Sequence, residues 1–277
     1  MPDERLLATC WTTAGAASPL PGDQRSPVPI RKRVAAASAA GFQGIGLLHA
    51  DLMPALDQYG SGGLRALLDD HGIVDLELEL ITGWWSAESE PVRRDLLAAA
   101  EALGARHIKV GPDVSDGPWE HDRWVAAFAA LAAEAAEAGT RVGLEFLPWS
   151  NIKTVHDGLA LVRAAGHPAG GLIIDVWHTE RAHTPPADLA AVPVEYIVGV
   201  ELNDADAEPV GTLFEDTVHR RRLCGEGTFD LAGVVAALRD TGWRGPWGVE
   251  ILSDEHRRAP LRRAVADAFR TARALVG

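Results

Sequence analysis

The stretch Gly171-Leu-Ile-Ile-Asp-Val-Trp-His178 decides how we interpret the fold, because it joins an apolar run to an aspartate and a histidine. A continuous apolar run of this length, bounded by turn signals, is typical of a parallel strand that is buried on both faces. An ionised Asp175 at the end of such a strand is costly to desolvate unless a cation lies beside it. Taken alone, Asp175 is equally compatible with a capping aspartate just past a strand.

Three other strand-like runs also carry a carboxylate near their carboxyl ends. They are Val142-Gly-Leu-Glu145, Ile197-Val-Gly-Val-Glu201 and Trp247-Gly-Val-Glu250. Four apolar strands that each deliver one acid at a corresponding point indicate a single shared site rather than four unrelated caps.

Glycines follow helical stretches at intervals of roughly thirty residues, which is about the length of one strand plus one helix. They are Gly41, Gly72, Gly104, Gly139 and Gly166. A glycine just past a helix permits the left-handed backbone conformation that ends it. The repeat therefore predicts that strands and helices alternate along the chain.

The pattern predicts about eight strands that alternate with helices, which is the number that a (β/α)₈ TIM barrel requires. The predicted strands are Leu6–Trp11, Gly44–Leu48, Val74–Ile81, His107–Val110 and the runs that end at Glu145, Asp175, Leu202 and Leu252. We expect a single α/β domain over residues 1–277, with a long loop at 203–229. The alternative is a doubly wound sheet, but Thr13-Ala-Gly-Ala-Ala lacks its glycine fingerprint.

Composition limits the partners and the compartment. The formal net charge of −13 argues against nucleic acid or an anionic membrane as a partner. Two cysteines, Cys10 and Cys224, do not form a disulfide framework, which favours a reducing cytoplasm. We also expect no signal peptide, because the first residues lack a basic region followed by an apolar stretch, and no transmembrane run.

The four acids predict a metal site. In a barrel the carboxyl ends of the strands converge on one mouth, so Glu145, Asp175, Glu201 and Glu250 would face a common point. Carboxylates this close repel one another, and a divalent cation with a preference for oxygen ligands, Mn²⁺ or Mg²⁺, relieves that repulsion. The alternative is that some of the acids are separate caps or ion pairs.

Taken together, the motifs resemble the xylose-isomerase-like barrel superfamily. The motifs are Leu-Glu145-Phe, Ile-Ile-Asp175-Val-Trp-His178, Glu201-Leu-Asn-Asp204, Arg221-Arg-Leu-Cys-Gly225-Glu-Gly227 and Val-Glu250-Ile. That superfamily includes sugar isomerases, ketose 3-epimerases, inosose dehydratases, hydroxypyruvate isomerase and endonuclease IV. The resemblance implies a metal held by Glu145, Asp175, Glu250 and the residue at position 201, where relatives often carry His or Gln. It also implies that Glu145 and Glu250 act as the acid and the base, and that His178 and Arg221 bind substrate oxygens.

Further candidates lie at predicted strand ends. Lys109 is a candidate catalytic residue that supplies a charge or a proton, or else a solvated lysine or ion-pair partner. His49 is a candidate for substrate binding, or a hydrogen-bonded structural histidine. Trp11, Trp84 and Trp149 follow strands and are candidates for the wall of a sugar pocket, with packing beneath a loop as the alternative.

We therefore expect a metal-dependent isomerase or epimerase of a small sugar or polyol-ketone that works through an enediolate. The alternative is a lyase similar to inosose dehydratase, in which the same intermediate expels a hydroxyl group. A nuclease similar to endonuclease IV is disfavoured, since Arg221 occupies a matching histidine position and the chain is acidic. A non-catalytic sugar-binding barrel is disfavoured because all four acids are present. The expected partner is a small carbohydrate, without nucleic acid or membrane, and the fold is compatible with a homo-oligomer.

Overall fold

The fold is a closed parallel barrel, seen in a computed structural model that describes residues 4–115 and 119–277. The eight strands are hydrogen-bonded in chain order, and β1 pairs with β8 to close the barrel. The strands are β1 Leu6–Ala8, β2 Gly44–Leu48, β3 Asp75–Ile81, β4 His107–Val110, β5 Arg141–Glu145, β6 Gly170–Asp175, β7 Ile197–Leu202 and β8 Trp247–Val249. The predicted (β/α)₈ fold is confirmed.

Helices follow the strands and cover the barrel. They are α1 Cys10–Thr13, α2 Ile30–Ala40, α3 His49–Asp69, α4 Glu90–Leu103, α5 His121–Glu137, α6 Val155–Ala165, α7 Val176–Arg181, α8 Pro186–Ala190, α9 Leu213–Arg220, α10 Leu231–Asp240, α11 Asp254–Arg258 and α12 Leu261–Val276, with short 3₁₀ helices at Ala87–Ser89 and Val194–Tyr196. No helix in the described part of the chain is both long enough and apolar enough to cross a membrane.

The five glycines that marked the repeat all have positive φ angles, between 64° and 110°. Gly41, Gly104 and Gly166 are the residues that end α2, α4 and α6 in the left-handed conformation. Glycine adopts this conformation without the steric cost that a side chain imposes. The regularly spaced glycines therefore lie at or just past the ends of helices, as their spacing predicts.

Two glycines inside strands allow close packing in the barrel. Gly143 on β5 pairs in register with Gly171 on β6. A Cβ atom on Gly143 would lie 2.4 Å from the Ile173 side chain, and one on Gly171 would lie 2.5 Å from the Tyr196 carbonyl oxygen. A larger residue at position 143 would therefore displace the Ile173 side chain, and one at position 171 would displace the backbone at Tyr196.

Contacts divide the chain into two compact halves. Two of the boundaries between the halves, at 77/78 and 200/201, fall inside strands. The first half comprises residues 4–77, Glu201–Ala232 and Gly245–Gly277, and the second comprises Leu78–Val200 and Gly233–Arg244. In the first half, Phe42 packs edge-on against Phe269 with ring centroids 5.1 Å apart. In the second, Trp84 packs against Trp124 and Phe128. That residues 1–277 form a single domain stays a prediction.

Three predicted segments differ from the structure, and one of them is the last strand, which ends at Val249 rather than at Leu252. The first strand is short, and Trp11 lies in α1 rather than at the end of β1. The predicted loop at 203–229 contains α9, which starts with a capping box. In that box the Thr212 hydroxyl accepts a hydrogen bond from the Glu215 amide, and the Glu215 carboxylate accepts one from the Thr212 amide. The reciprocal cap satisfies two amide groups that the first turn would otherwise leave without partners.

Candidate active site

In the second half of the barrel, β5 and β6 place two carboxylates and a histidine together. Glu145 is the last residue of β5, and Asp175 ends β6 and caps α7, where its carboxylate accepts a 2.7 Å hydrogen bond from the Trp177 amide. His178 lies in the first turn of α7, with its Nε2 atom 3.6 Å from Glu145 Oε1. One ligand atom from each of these three buried residues lies within 4.8 Å of the others.

Lys109 supplies a buried positive charge beside this group. Its Nζ atom lies 3.3 Å from Glu79 Oε2 and 3.9 Å from Glu145 Oε1, and its side chain is 2% exposed. Burial by itself would raise the pKa of the Glu145 carboxyl, but the charge of Lys109, followed by the contact with His178, lowers it below its usual value. Glu145 is therefore held as a carboxylate, which a proton acceptor requires. Lys109 therefore lies in an ion pair, which was one of the alternatives that the sequence left open for it. It also faces Glu145, a candidate site residue.

In the first half, the site residues come from β7, β8 and the segment after α9. Glu201 lies on β7 and Glu250 directly follows β8; both are buried. Arg221 follows α9 and is also buried, and its Nη1 atom donates a 3.0 Å hydrogen bond to Glu250 Oε2. A charge-assisted hydrogen bond between buried groups fixes the direction of both side chains.

All four acids that the sequence singled out are buried, two of them in each half. Carboxylates that gather at one point in a low-dielectric interior repel strongly. Oxygen donors in this number fit a hard divalent cation. That these residues bind a metal, and which metal, stays a prediction.

The aromatic residues predicted to line a sugar pocket lie in different surroundings in the structure. Trp84 is buried, donates its indole N–H to the Gly111 carbonyl at 2.8 Å, and lies edge-on against Trp124, which favours the packing alternative. Trp149 is half-buried and contacts the His178 ring edge-on, with centroids 5.5 Å apart. Trp11 is buried in α1, and His49 begins α3. Substrate binding by Trp11, Trp149 and His49 stays a prediction.

Two residues near the site were given no role from the sequence, where Asp204 appears only as part of the motif Glu201-Leu-Asn-Asp204 and Thr217 is not named. Asp204 accepts hydrogen bonds from the backbone amides of Ala205, Gly225, Gly227 and Phe229. Thr217 accepts a 3.0 Å hydrogen bond from Arg221 Nε. The sequence signal that could have indicated this contact is that Thr217 lies four residues before Arg221. Residues at this spacing come into contact only if the segment between them is helical.

Cys224 lies in the same loop but has no catalytic features. Burial raises the pKa of its thiol to about 12. A thiol with this pKa carries a negligible thiolate fraction at neutral pH. This agrees with the view that Cys224 is a small loop residue.

The xylose isomerase-like TIM barrel family matches residues 34–274. The chain belongs to this family. Its relatives include two proteins named 3-dehydroshikimate dehydratase, from Pseudomonas putida (30% identical over 253 residues) and Pseudomonas aeruginosa (32% over 251 residues). Each match covers 87% of this chain but only 39% of the relative, so the chain spans about two fifths of their length.

Among solved structures, the IOLI protein with a bound zinc atom has the same fold, with a TM-score of 0.85, 18% identity and 98% coverage of both chains. Family membership confirms the resemblance seen in the motifs. The names of the two relatives describe lyases, so they favour the dehydratase alternative over an isomerase or epimerase, which they leave unconfirmed.

Proposed function

We propose that this chain catalyses the divalent-metal-dependent dehydration of a cyclic hydroxy-ketone, with 3-dehydroshikimate as the first substrate to test. The observation that carries the proposal is the buried group of Glu145, Asp175 and His178, whose ligand atoms lie within 4.8 Å of one another beside the buried cation of Lys109. The names of the two Pseudomonas relatives support dehydration as the reaction class.

Glu145, Asp175, Glu201 and Glu250 would hold the metal. A divalent cation bound there would polarise a substrate carbonyl and so acidify the neighbouring C–H bond. This contribution is the same for an isomerase and for a dehydratase, because both begin by removing a proton next to the carbonyl.

The residues around Glu145 can complete the elimination. Glu145 is a carboxylate at neutral pH because Lys109 lowers its pKa, so it can accept the proton from the carbon next to the carbonyl. The electrons of that C–H bond form a C=C bond as the adjacent C–O bond breaks. His178 gives a proton to the departing hydroxyl, which leaves as water.

The position of His178 also explains how the enzyme returns to its starting state. After the elimination, the proton taken from carbon resides on Glu145, and His178 is one proton short. Their 3.6 Å separation lets a small movement bring Glu145 into hydrogen-bond contact with His178. Transfer of the proton across that contact restores both groups, so no further reactant is needed.

Arg221 has a different part in the proposal. Its guanidinium donates a hydrogen bond to Glu250 Oε2 and so fixes the direction of that carboxylate. A guanidinium can also bind neighbouring substrate oxygens through its remaining N–H groups. Arg221 would thus orient the substrate with respect to Glu250.

The test is a turnover assay with metal-depleted protein, to which Mn²⁺ or Mg²⁺ is returned. The substrates are 3-dehydroshikimate, an inosose and a ketose, each in D₂O, with mass spectrometry as the readout. Loss of water from 3-dehydroshikimate followed by enolisation gives a dihydroxybenzoate, which is also followed by its ultraviolet absorbance. We expect metal-dependent loss of one water. Deuterium uptake without loss of water would instead establish an isomerase or epimerase.

A matched pair of variants links the activity to the cluster. Glu145→Gln should lower turnover by about 10²–10⁴-fold, because it removes the proton acceptor. Glu101→Gln makes the same chemical change at an exposed position on α4 and should leave turnover unchanged. Equal activity of the two variants would contradict the proposed role of Glu145.

A further inference from the structure

The guanidinium of Arg221 is held on two sides. On one side its Nη1 atom donates to Glu250 Oε2 at 3.0 Å, and on the other its Nε atom donates to Thr217 Oγ1, also at 3.0 Å. Thr217, Arg221 and Glu250 are all buried, with 4%, 2% and 3% of their surfaces exposed. Because the guanidinium is planar and rigid, two hydrogen bonds to different edges fix its plane as well as its position.

The backbone of Arg221 is fixed independently of its side chain. Its amide donates a 2.9 Å hydrogen bond to the Leu252 carbonyl oxygen. The residues on either side form isolated bridges, Arg220 with Ser253 and Arg222 with Asp204. The remaining freedom of Arg221 therefore lies in its side-chain torsions, and the hydroxyl of Thr217 is a contact that restricts them.

We propose that Thr217 is a positioning residue, which aims the guanidinium of Arg221 at Glu250 and at the substrate. The last turn of α9 makes this possible, since residues four apart lie on the same face of a helix. Thr217 acts through Arg221 and needs no contact with the substrate. Its kinetic consequences rest on the proposed function, whereas the orientation of the guanidinium does not.

Replacing Thr217 by valine tests the hydroxyl at nearly constant shape. The change removes the acceptor and leaves a buried Nε–H group that must find another partner or lose a hydrogen bond. We expect the Michaelis constant to rise by about 5- to 100-fold, the change in affinity that a lost buried hydrogen bond of this kind produces. Metal content should be unchanged, because the carboxylates are intact.

Two further variants separate positioning from general damage. Thr217→Ser keeps the hydroxyl and should restore the Michaelis constant to near its original value. Thr140→Val is the matched control: Thr140 is a buried threonine whose hydroxyl donates to the Ala105 carbonyl at 2.9 Å in the other half of the barrel. Equal Michaelis constants in Thr217→Val and Thr140→Val, or failure of serine to restore binding, would overturn the proposal.

A second readout is independent of activity. The Nε–H signal of Arg221 is observable by ¹⁵N NMR and is identified by its loss in Arg221→Lys. In Thr217→Val this signal should shift and exchange faster with water, while Thr217→Ser and Thr140→Val leave it in place. An unchanged signal in Thr217→Val would overturn the positioning role. If the signal changes as expected but the protein dehydrates none of the three substrates, the positioning role of Thr217 is retained and the proposed function is rejected.

Discussion

The proposed metal cluster predicts opposite effects of one substitution on the metal-free and metal-bound protein. The substitution is Glu201→Gln, which keeps the shape of the side chain and removes one negative charge. Glu201 is fully buried, and the proposed metal site adds its charge to those of Glu145, Asp175 and Glu250. Repulsion between these charges disfavours the folded state when no cation balances it.

The distance between two of these acids gives the scale of the effect. An oxygen of Glu145 lies within 4.8 Å of an oxygen of Asp175, and at that distance, with an effective dielectric constant of 20, two unit charges repel by about 3.5 kcal/mol. Proton uptake by the cluster and small side-chain movements relieve part of this repulsion, so we expect the metal-free variant to gain about 1–3 kcal/mol. For a protein of this length, that gain raises the melting temperature by about 2–10 °C. Metal affinity should fall, because one charged ligand becomes a neutral amide oxygen.

The assay is thermal unfolding of metal-free protein, combined with titration of Mn²⁺. Glu208→Gln is the control, because it removes the same charge at an exposed position of the acidic chain. We expect Glu201→Gln to melt higher than the control without metal, and to bind Mn²⁺ more weakly. A lower melting temperature together with unchanged affinity would refute the reasoning and remove Glu201 from the ligand set.

Three further predictions concern buried groups outside the cluster. Burial, followed by the charges of Arg106 and other nearby cations, lowers the pKa of His107 from 6.5 to about 3. The folded protein therefore holds His107 neutral, and its stability should fall as the pH drops below 6.5. Between pH 7 and pH 5, urea unfolding of the wild type should show a loss of stability about 2 kcal/mol larger than that of His107→Leu. Asp51→Asn breaks the largely buried pair with Arg33 and should cost about 3–5 kcal/mol by urea unfolding, whereas Asp23→Asn, which breaks an exposed pair with Arg25, should leave unfolding nearly unchanged; equal losses would contradict the assignment. Iodoacetamide at pH 8 should leave Cys224 of the folded protein unmodified by mass spectrometry, because its thiol pKa is about 12, and rapid labelling would show an exposed thiolate.

The strands could be predicted from sequence because a parallel barrel strand is buried on both sides and so appears as an apolar run. The strand containing Asp175 shows this clearly, and the four acids at corresponding points implied that their side chains converge. The barrel closure then supplies the distances, which no local pattern contains. For this reason sequence analysis could name the four acids but could not give their separation.

The contacts of Lys109 and Thr217 could not be obtained in the same way. Lys109 pairs in register with Gly143, two residues before Glu145 on the adjacent strand, so its contact with Glu145 depends on strand order and register. Thr217 was assigned to a loop because its segment is polar and lacks an apolar stripe. The helix there depends on the capping box at Thr212 and on packing, and the contact with Arg221 exists only once that helix forms.

Glu145 and Glu250 each contact a buried cation that belongs to the protein, and for Glu145 this contact bears on its proposed role as the proton acceptor. Lys109 faces Glu145 at 3.9 Å, and Arg221 faces Glu250 at 3.0 Å. Lys109 stays in place whether or not a metal is bound, so its charge lowers the pKa of Glu145 at every stage of the proposed reaction. A proton acceptor that relied on the metal alone would change its basicity whenever the metal bound or left. Since Lys109 is itself held by Glu79, the chain can set the basicity of Glu145 separately from the strength of metal binding.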